Sequence, residues 1–158
     1  MNVRIEEIKD DFPYDLLLIA DEAIEAIDKY LYDSDVYVVK NGELKIGVFC
    51  LYRIDENAIE IKNIAVLPQI QNKGIGSSLL KEIEKIALRK RYKTILVGTA
   101  DCGVNQIRFY EKNGYSRYAV RKNFFLENYS QPIYEEGIML KDMILLKKEI
   151  EDVSFGGM

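Results

Sequence analysis

The segment Gln71-Asn72-Lys73-Gly74-Ile75-Gly76 holds the residue types that point most directly to chemistry. A β-rich run precedes it and a helical pattern follows it at once. Glycines let the backbone pass close to a ligand. A helix start offers unpaired N–H groups and the positive end of the helix dipole, and Lys73 adds a cation. Such a turn suits a pyrophosphate. Two phosphate-binding designs are excluded by the residues present. A Walker loop needs Gly-Lys-Ser/Thr after its four-residue gap. A dinucleotide fingerprint needs a third small residue where Leu79 stands, and an early parallel strand. Taken alone, the motif also fits a strand-to-helix turn with no ligand.

Other chemistries are closed off by composition. Histidine is absent, which removes imidazole bases and the Ser-His-Asp and Cys-His nucleophiles. It also removes the commonest transition-metal ligand. Cys50 and Cys102 are too few for a disulfide framework or a thiolate metal site, so no metal is expected. The net charge of −4 and pI near 5.1 do not favour nucleic-acid binding. The N-terminus has no apolar signal core, and the early apolar run at 16–20 is far short of the roughly 18–20 residues that span a membrane. No membrane partner and a cytoplasmic location are expected.

The elements that position the motif follow from periodicity. Residues 3–8 read as a first strand. A helical stretch then starts at Pro13, with Leu16, Ala20, Ala23, Ile27, Tyr30 and Leu31 at helical spacing. Runs at 36–40 and 44–52 flank Asn41-Gly42, a hairpin signal, and 58–66 forms a third antiparallel strand. Residues 74–90 read as a helix with one broad apolar face. A strand at 94–99, a helix over 104–112 closed by Asn113-Gly114, and strands at 115–120 and 138–147 complete the order. Within 58–66, Ile59 and Ile61 share one parity while Ile64 and Val66 have the other. One extra residue near Lys62 and Asn63, a β-bulge, would reconcile them; a strand buried on both faces is the alternative. The 158 residues, 48% hydrophobic and 30% charged, suit one globular domain over 1–150 with a flexible tail at 151–158.

With these pieces in order, the sequence resembles the GNAT superfamily of acyl-CoA-dependent N-acetyltransferases, in its small bacterial form. The resemblance is most specific over 60–80, where Gln71, Gly74 and Gly76 meet the Q/R-x-x-G-x-G/A signature. A second match, N-Q-I-R-F-Y-E-K-N-G-Y from Asn105 to Tyr115, lies downstream. The resemblance implies an α/β (α+β type) fold. Its central sheet is mixed and mostly antiparallel, of about seven strands, splayed between strands 4 and 5, with helices on both faces. It implies an acetyl-CoA co-substrate and an amine acceptor, and it leaves a homodimer open.

The resemblance also assigns roles. The pantetheine arm lies along the fourth strand, bonded by the backbone of Ile64, Ala65 and Val66, and the Ile64 N–H faces the thioester carbonyl. Backbone N–H groups of Gln71, Asn72, Lys73, Gly74, Ile75 and Gly76 hold the pyrophosphate, extended by Ser77. Tyr110 is the general acid for the departing thiolate; its three-residue spacing from Ile107 equally fits a core aromatic. Asn105 bonds the cofactor or helps to cap its helix. Glu60 is the candidate base, against the alternative of an exposed strand carboxylate. An acetyl-Cys102 route lacks a histidine to activate the thiol. Phe124, Phe125, Glu127, Tyr129, Tyr134, Glu135 and Glu136, with the first helix, are candidates for an acceptor pocket suited to a small cationic amine, with a groove for a peptide or protein amine as the alternative. A non-catalytic acyl-CoA-binding module is the competing function.

Overall fold

The computed structural model describes residues 3–151; the expected tail lies, apart from Glu151, outside the described residues. In chain order the elements are β1 (Val3–Ile8), α1 (Tyr14–Ala20), α2 (Ile24–Leu31), β2 (Ser34–Asn41), β3 (Leu44–Arg53) and β4 (Ala58–Val66). A short 3-10 turn (Pro68–Ile70) leads to α3 (Ile75–Arg89), β5 (Thr94–Ala100) and α4 (Val104–Lys112). Then come β6 (Ser116–Arg121), α5 (Phe124–Asn128), β7 (Tyr134–Glu135), β8 (Ile138–Met139) and β9 (Met143–Glu149). Seven strands form one sheet in the order β1-β2-β3-β4-β5-β9-β6, while β7 and β8 pair separately. The sheet is mostly antiparallel, and β4/β5 is its one parallel pair. No helix among the described residues is long and apolar enough to cross a membrane.

The chain divides into two compact units: Met1–Arg53 with Ile61–Gly76, and Ile54–Glu60 with Ser77–Met158. In the first unit, Leu16 and Leu17 of α1 and Ile27, Tyr30 and Leu31 of α2 are buried together with Val36, Val48, Cys50 and Ala65. The helical periodicity of 14–31 is real but broken. Asp21 is extended (φ −130°, ψ 154°) and ends α1. Its carboxylate takes the Glu22 N–H at 2.8 Å and the Tyr30 hydroxyl at 3.0 Å. A short acidic side chain that bonds nearby backbone competes with the helix in this way. The β2–β3 turn falls one residue later than the Asn-Gly signal suggests. Asn41 still pairs with Leu44, and Gly42 takes the positive φ of 63°.

Side-chain placement in β4 fits the expected bulge. At the hairpin end the Ala58 carbonyl accepts from the N–H groups of both Ile54 and Asp55; at the far end the Leu67 N–H donates to the Ile46 carbonyl. The side chains locate the extra residue. The Lys62 ammonium lies 5.4 Å from the centre of the Tyr52 ring, which packs on the α1–α2 core. Its neighbour Asn63 bonds to both of those helices. Two consecutive side chains on one face break the strand alternation, as a bulge does. Beyond it, Ala65 faces the α1–α2 core. Of the two residues expected in the core beyond the bulge, Val66 is buried whereas Ile64 is half-buried.

Gly47 of β3 shows how closely this region is packed. A Cβ there would lie 2.8 Å from the Ala65 carbonyl oxygen. A carbonyl within a ladder cannot rotate away as a side-chain tip can. Gly47→Ala is therefore expected to cost about 1–3 kcal/mol, read as a Tm lowered by roughly 2–10 °C in thermal unfolding.

In the second unit, β9 pairs antiparallel with β5 and with β6. Helix α3 buries Leu79, Leu80, Ile83, Ile86 and Ala87, and α4 buries Ile107 and Tyr110. The expected last strand, 138–147, is two strands. At the break the Phe125 N–H bonds the Lys141 carbonyl, the Asp101 N–H bonds the Asp142 carbonyl, and the Leu140 N–H bonds the Ile133 carbonyl. Backbone groups spent on those partners are lost to a continuous ladder. These bonds also hold α5, which periodicity does not reveal because it is five residues long.

Candidate active site

The phosphate-loop residues sit between β4 and α3, within the first unit. Gln71 Nε2 donates to the Val66 carbonyl at 2.8 Å, which ties the loop back to the end of the strand. Asn72 (φ 64°) and Gly74 (φ 80°) both take left-handed backbone. Left-handed residues set among ordinary ones turn successive N–H groups toward one concave side, an arrangement that receives anions. Residues 71–74 are exposed, and Lys73 makes no ion pair among the described residues. The positive φ of Gly74 ends the loop conformation and delays α3 to Ile75, one residue later than expected.

Ser77 lies in the first turn of α3, half-buried. Its hydroxyl oxygen accepts from Asn113 Nδ2 at 3.2 Å, and the same amide donates to the Phe109 carbonyl at 2.8 Å. The Ser77 O–H is thereby left to donate elsewhere. Sequence reading took Asn113 only as the residue closing a helix and missed this contact, which no local spacing signals.

Tyr110 is buried, with its ring edge-on to Phe109 at 5.2 Å and to Tyr115 at 5.5 Å. Its hydroxyl makes no hydrogen bond among the described residues. Burial pushes its pKa well above the usual 10, because a phenolate is poorly solvated there. The phenol is a proton donor held in its acid form. The core-aromatic reading and the acid reading are thus compatible: the ring is packed, and the hydroxyl is unspent.

Glu60 is 5% exposed, so the reading of an exposed strand carboxylate does not hold. Its charge is felt at Tyr118 of β6, whose phenol is raised first by burial and then by the Glu60 carboxylate. Tyr118 escaped the sequence reading, since one tyrosine on a short edge strand carries no pattern. Asn105 is exposed on α4. Gly103 occupies the N-cap with no side-chain capping bond, so Asn105 does not cap the helix.

Around the second unit's α5, Phe125 is buried with Ala100 and Leu140, and Cys102, Phe124 and Tyr129 pack against them. The Phe125 and Tyr129 rings stack at 5.8 Å. Burial raises the Cys102 pKa above its usual value, and Glu135, Asp101 and Glu136 raise it further. The thiol stays protonated, and the acidic side chains impose a negative potential on this neighbourhood. Tyr134, Glu135 and Glu136 are exposed on the β7–β8 hairpin, and Glu127 is exposed on α5.

Comparison with known proteins meets this geometry. Residues 32–117 match the family model described as "Acetyltransferase (GNAT) domain", a span from the end of α2 to the start of β6. The chain is 34% identical over 146 residues to the uncharacterized N-acetyltransferase YvbK of Bacillus subtilis, covering 92% of this chain and 94% of that one. It is 43% identical to a GNAT family acetyltransferase from Elizabethkingia anophelis solved with acetyl-CoA bound, with a TM-score of 0.90 over 94% of this chain and 99% of that one. A Bacillus subtilis acetyltransferase solved in complex with CoA is 33% identical, with a TM-score of 0.86 over 95% of this chain and 100% of that one. The chain belongs to the GNAT family of acetyltransferases.

Proposed function

We propose that this protein transfers the acetyl group of acetyl-CoA to a primary amine by direct attack in a ternary complex. The observation that carries the reading is the loop at 71–76, tied to β4 by Gln71 and shaped by two left-handed residues before α3. It gathers N–H donors and the α3 dipole where a pyrophosphate would bind. Relatives solved with acetyl-CoA or CoA bound, at 43% and 33% identity, support the same donor.

The backbone of Ile64, Ala65 and Val66 bonds the pantetheine arm as an added strand would. Ser77 adds its hydroxyl to the phosphate contacts, and Asn105 reaches the cofactor from α4. The amine, deprotonated by Glu60 directly or through a water, attacks the thioester carbonyl. The Ile64 N–H stabilises the oxyanion as the C–N bond forms. The nitrogen of the intermediate gives up its extra proton to solvent, collapse re-forms the carbonyl and breaks the C–S bond, and Tyr110 gives its proton to the sulfur, releasing CoA as a thiol and leaving a neutral amide. Solvent returns a proton to the phenolate. The acidic and aromatic residues of α5 and the β7–β8 hairpin favour a cationic acceptor by charge and cation–π attraction.

Cys102 plays no covalent part in this scheme, since its thiol is raised rather than activated. Cys102→Ala is expected to keep kcat within about twofold; a covalent acetyl-enzyme route would instead lose on the order of 100-fold or more with its nucleophile. Steady-state thiol release distinguishes the two. The whole reading is tested by thiol release from acetyl-CoA against a panel of polyamines, aminoglycosides, lysine peptides and protein N-termini. Turnover with any primary amine supports it. Tight binding of acetyl-CoA with no turnover across the panel would favour a non-catalytic acyl-CoA-binding module.

A further inference from the structure

We infer that Asn63 is a positioning residue for acyl transfer: it pins the β4 bulge at the one place that aims the Ile64 N–H at the thioester carbonyl. The inference rests on the proposed role of Ile64 and extends it to a residue that touches neither substrate. Asn63 is 4% exposed. Its Nδ2 donates to the Leu17 carbonyl in the last turn of α1 at 3.0 Å and to the Tyr30 hydroxyl of α2 at 3.1 Å. The Leu17 carbonyl can only accept, so the amide orientation is fixed by its partners. Tyr30 is held in turn, donating its own proton to Asp21 at 3.0 Å.

Neither partner belongs to the strand ladder. A bulge can move along a strand by one residue if only ladder bonds hold it, because each ladder position offers the same backbone groups. Moving this one would swing the Asn63 amide away from α1 and α2. It would also turn Ile64 over and redirect its N–H. The side-chain bonds therefore fix the register where the ladder is degenerate. The other end of the amide is consistent with this. Oδ1 is buried and has no partner among the described residues, which a leucine of similar size would avoid. The site bears an unsatisfied acceptor in order to keep its two donors in place.

The test uses the infrared carbonyl band of carbonyl-13C acetyl-CoA bound to the full chain. A hydrogen bond from Ile64 lowers that band relative to free acetyl-CoA. In Asn63→Leu the band is expected to return toward its free position while acetyl-CoA affinity stays within about threefold. Tyr30→Phe, which removes one partner and keeps the ring, is expected to give a smaller shift in the same direction, and it serves if the leucine variant does not fold. A purely structural role for Asn63 would lower Tm without moving the band at constant affinity. A band unchanged from wild type in both variants overturns the inference, as does a wild-type band that does not differ from free acetyl-CoA. Failure of the wild-type protein to bind acetyl-CoA at all would instead remove the underlying reading.

Discussion

Tyr110→Phe is expected to lower kcat by about 10²–10⁴, the usual worth of a positioned acid, while leaving acetyl-CoA affinity and Tm unchanged. Phenylalanine keeps the ring and its edge-on contacts with Phe109 and Tyr115. The hydroxyl makes no hydrogen bond among the described residues, so its removal orphans no partner. A loss confined to kcat therefore reports the proton itself. The pH dependence gives a second check. Burial raises this phenol above its usual 10, so the acid form persists throughout the neutral range. No alkaline decline due to Tyr110 is expected in the kcat–pH profile until above that value. Full activity in the variant, or a decline traceable to Tyr110 near neutrality, would show that another group protonates the thiolate.

Gly74→Val is expected to weaken acetyl-CoA binding by about 10- to 100-fold, the loss of one or two charge-assisted hydrogen bonds. The cause is backbone conformation rather than crowding. No atom lies within 4 Å of where a Cβ would stand, but φ is +80°, a region a β-branched residue avoids. The loop relaxes, its N–H groups no longer converge, and the pyrophosphate loses donors. Tm should fall by only a few degrees, because residues 71–74 are exposed. S-acetyl-pantetheine, which carries no pyrophosphate, should bind wild type and variant alike. Equal weakening for both donors would move the defect away from the phosphate loop.

These expectations could be framed because much of the site is local in sequence. The loop, its two glycines and the helix after it lie within a few residues, so residue type and spacing reveal them. The bulge was legible for the same reason, since it inverts a two-residue alternation inside one strand. What stayed hidden depends on distant partners. The break at Asp21 comes from a carboxylate competing for the Glu22 N–H and the Tyr30 hydroxyl, while the apolar periodicity runs straight through it. The interruption after Met139 is set by bonds to Phe125, Asp101 and Ile133. The burial of Glu60, the Asn113–Ser77 bond and the anchoring of Asn63 join residues with no pattern between them. Periodicity finds faces, and these features are set by what meets a face.

Isothermal titration of the purified protein with acetyl-CoA, with ATP and NADH as controls, tests the central claim most directly. Saturable binding of acetyl-CoA in the micromolar range, ~−8 kcal/mol, with neither control bound, is the predicted result. Absence of heat and of any thermal shift with acetyl-CoA, on protein shown to be folded, would contradict it.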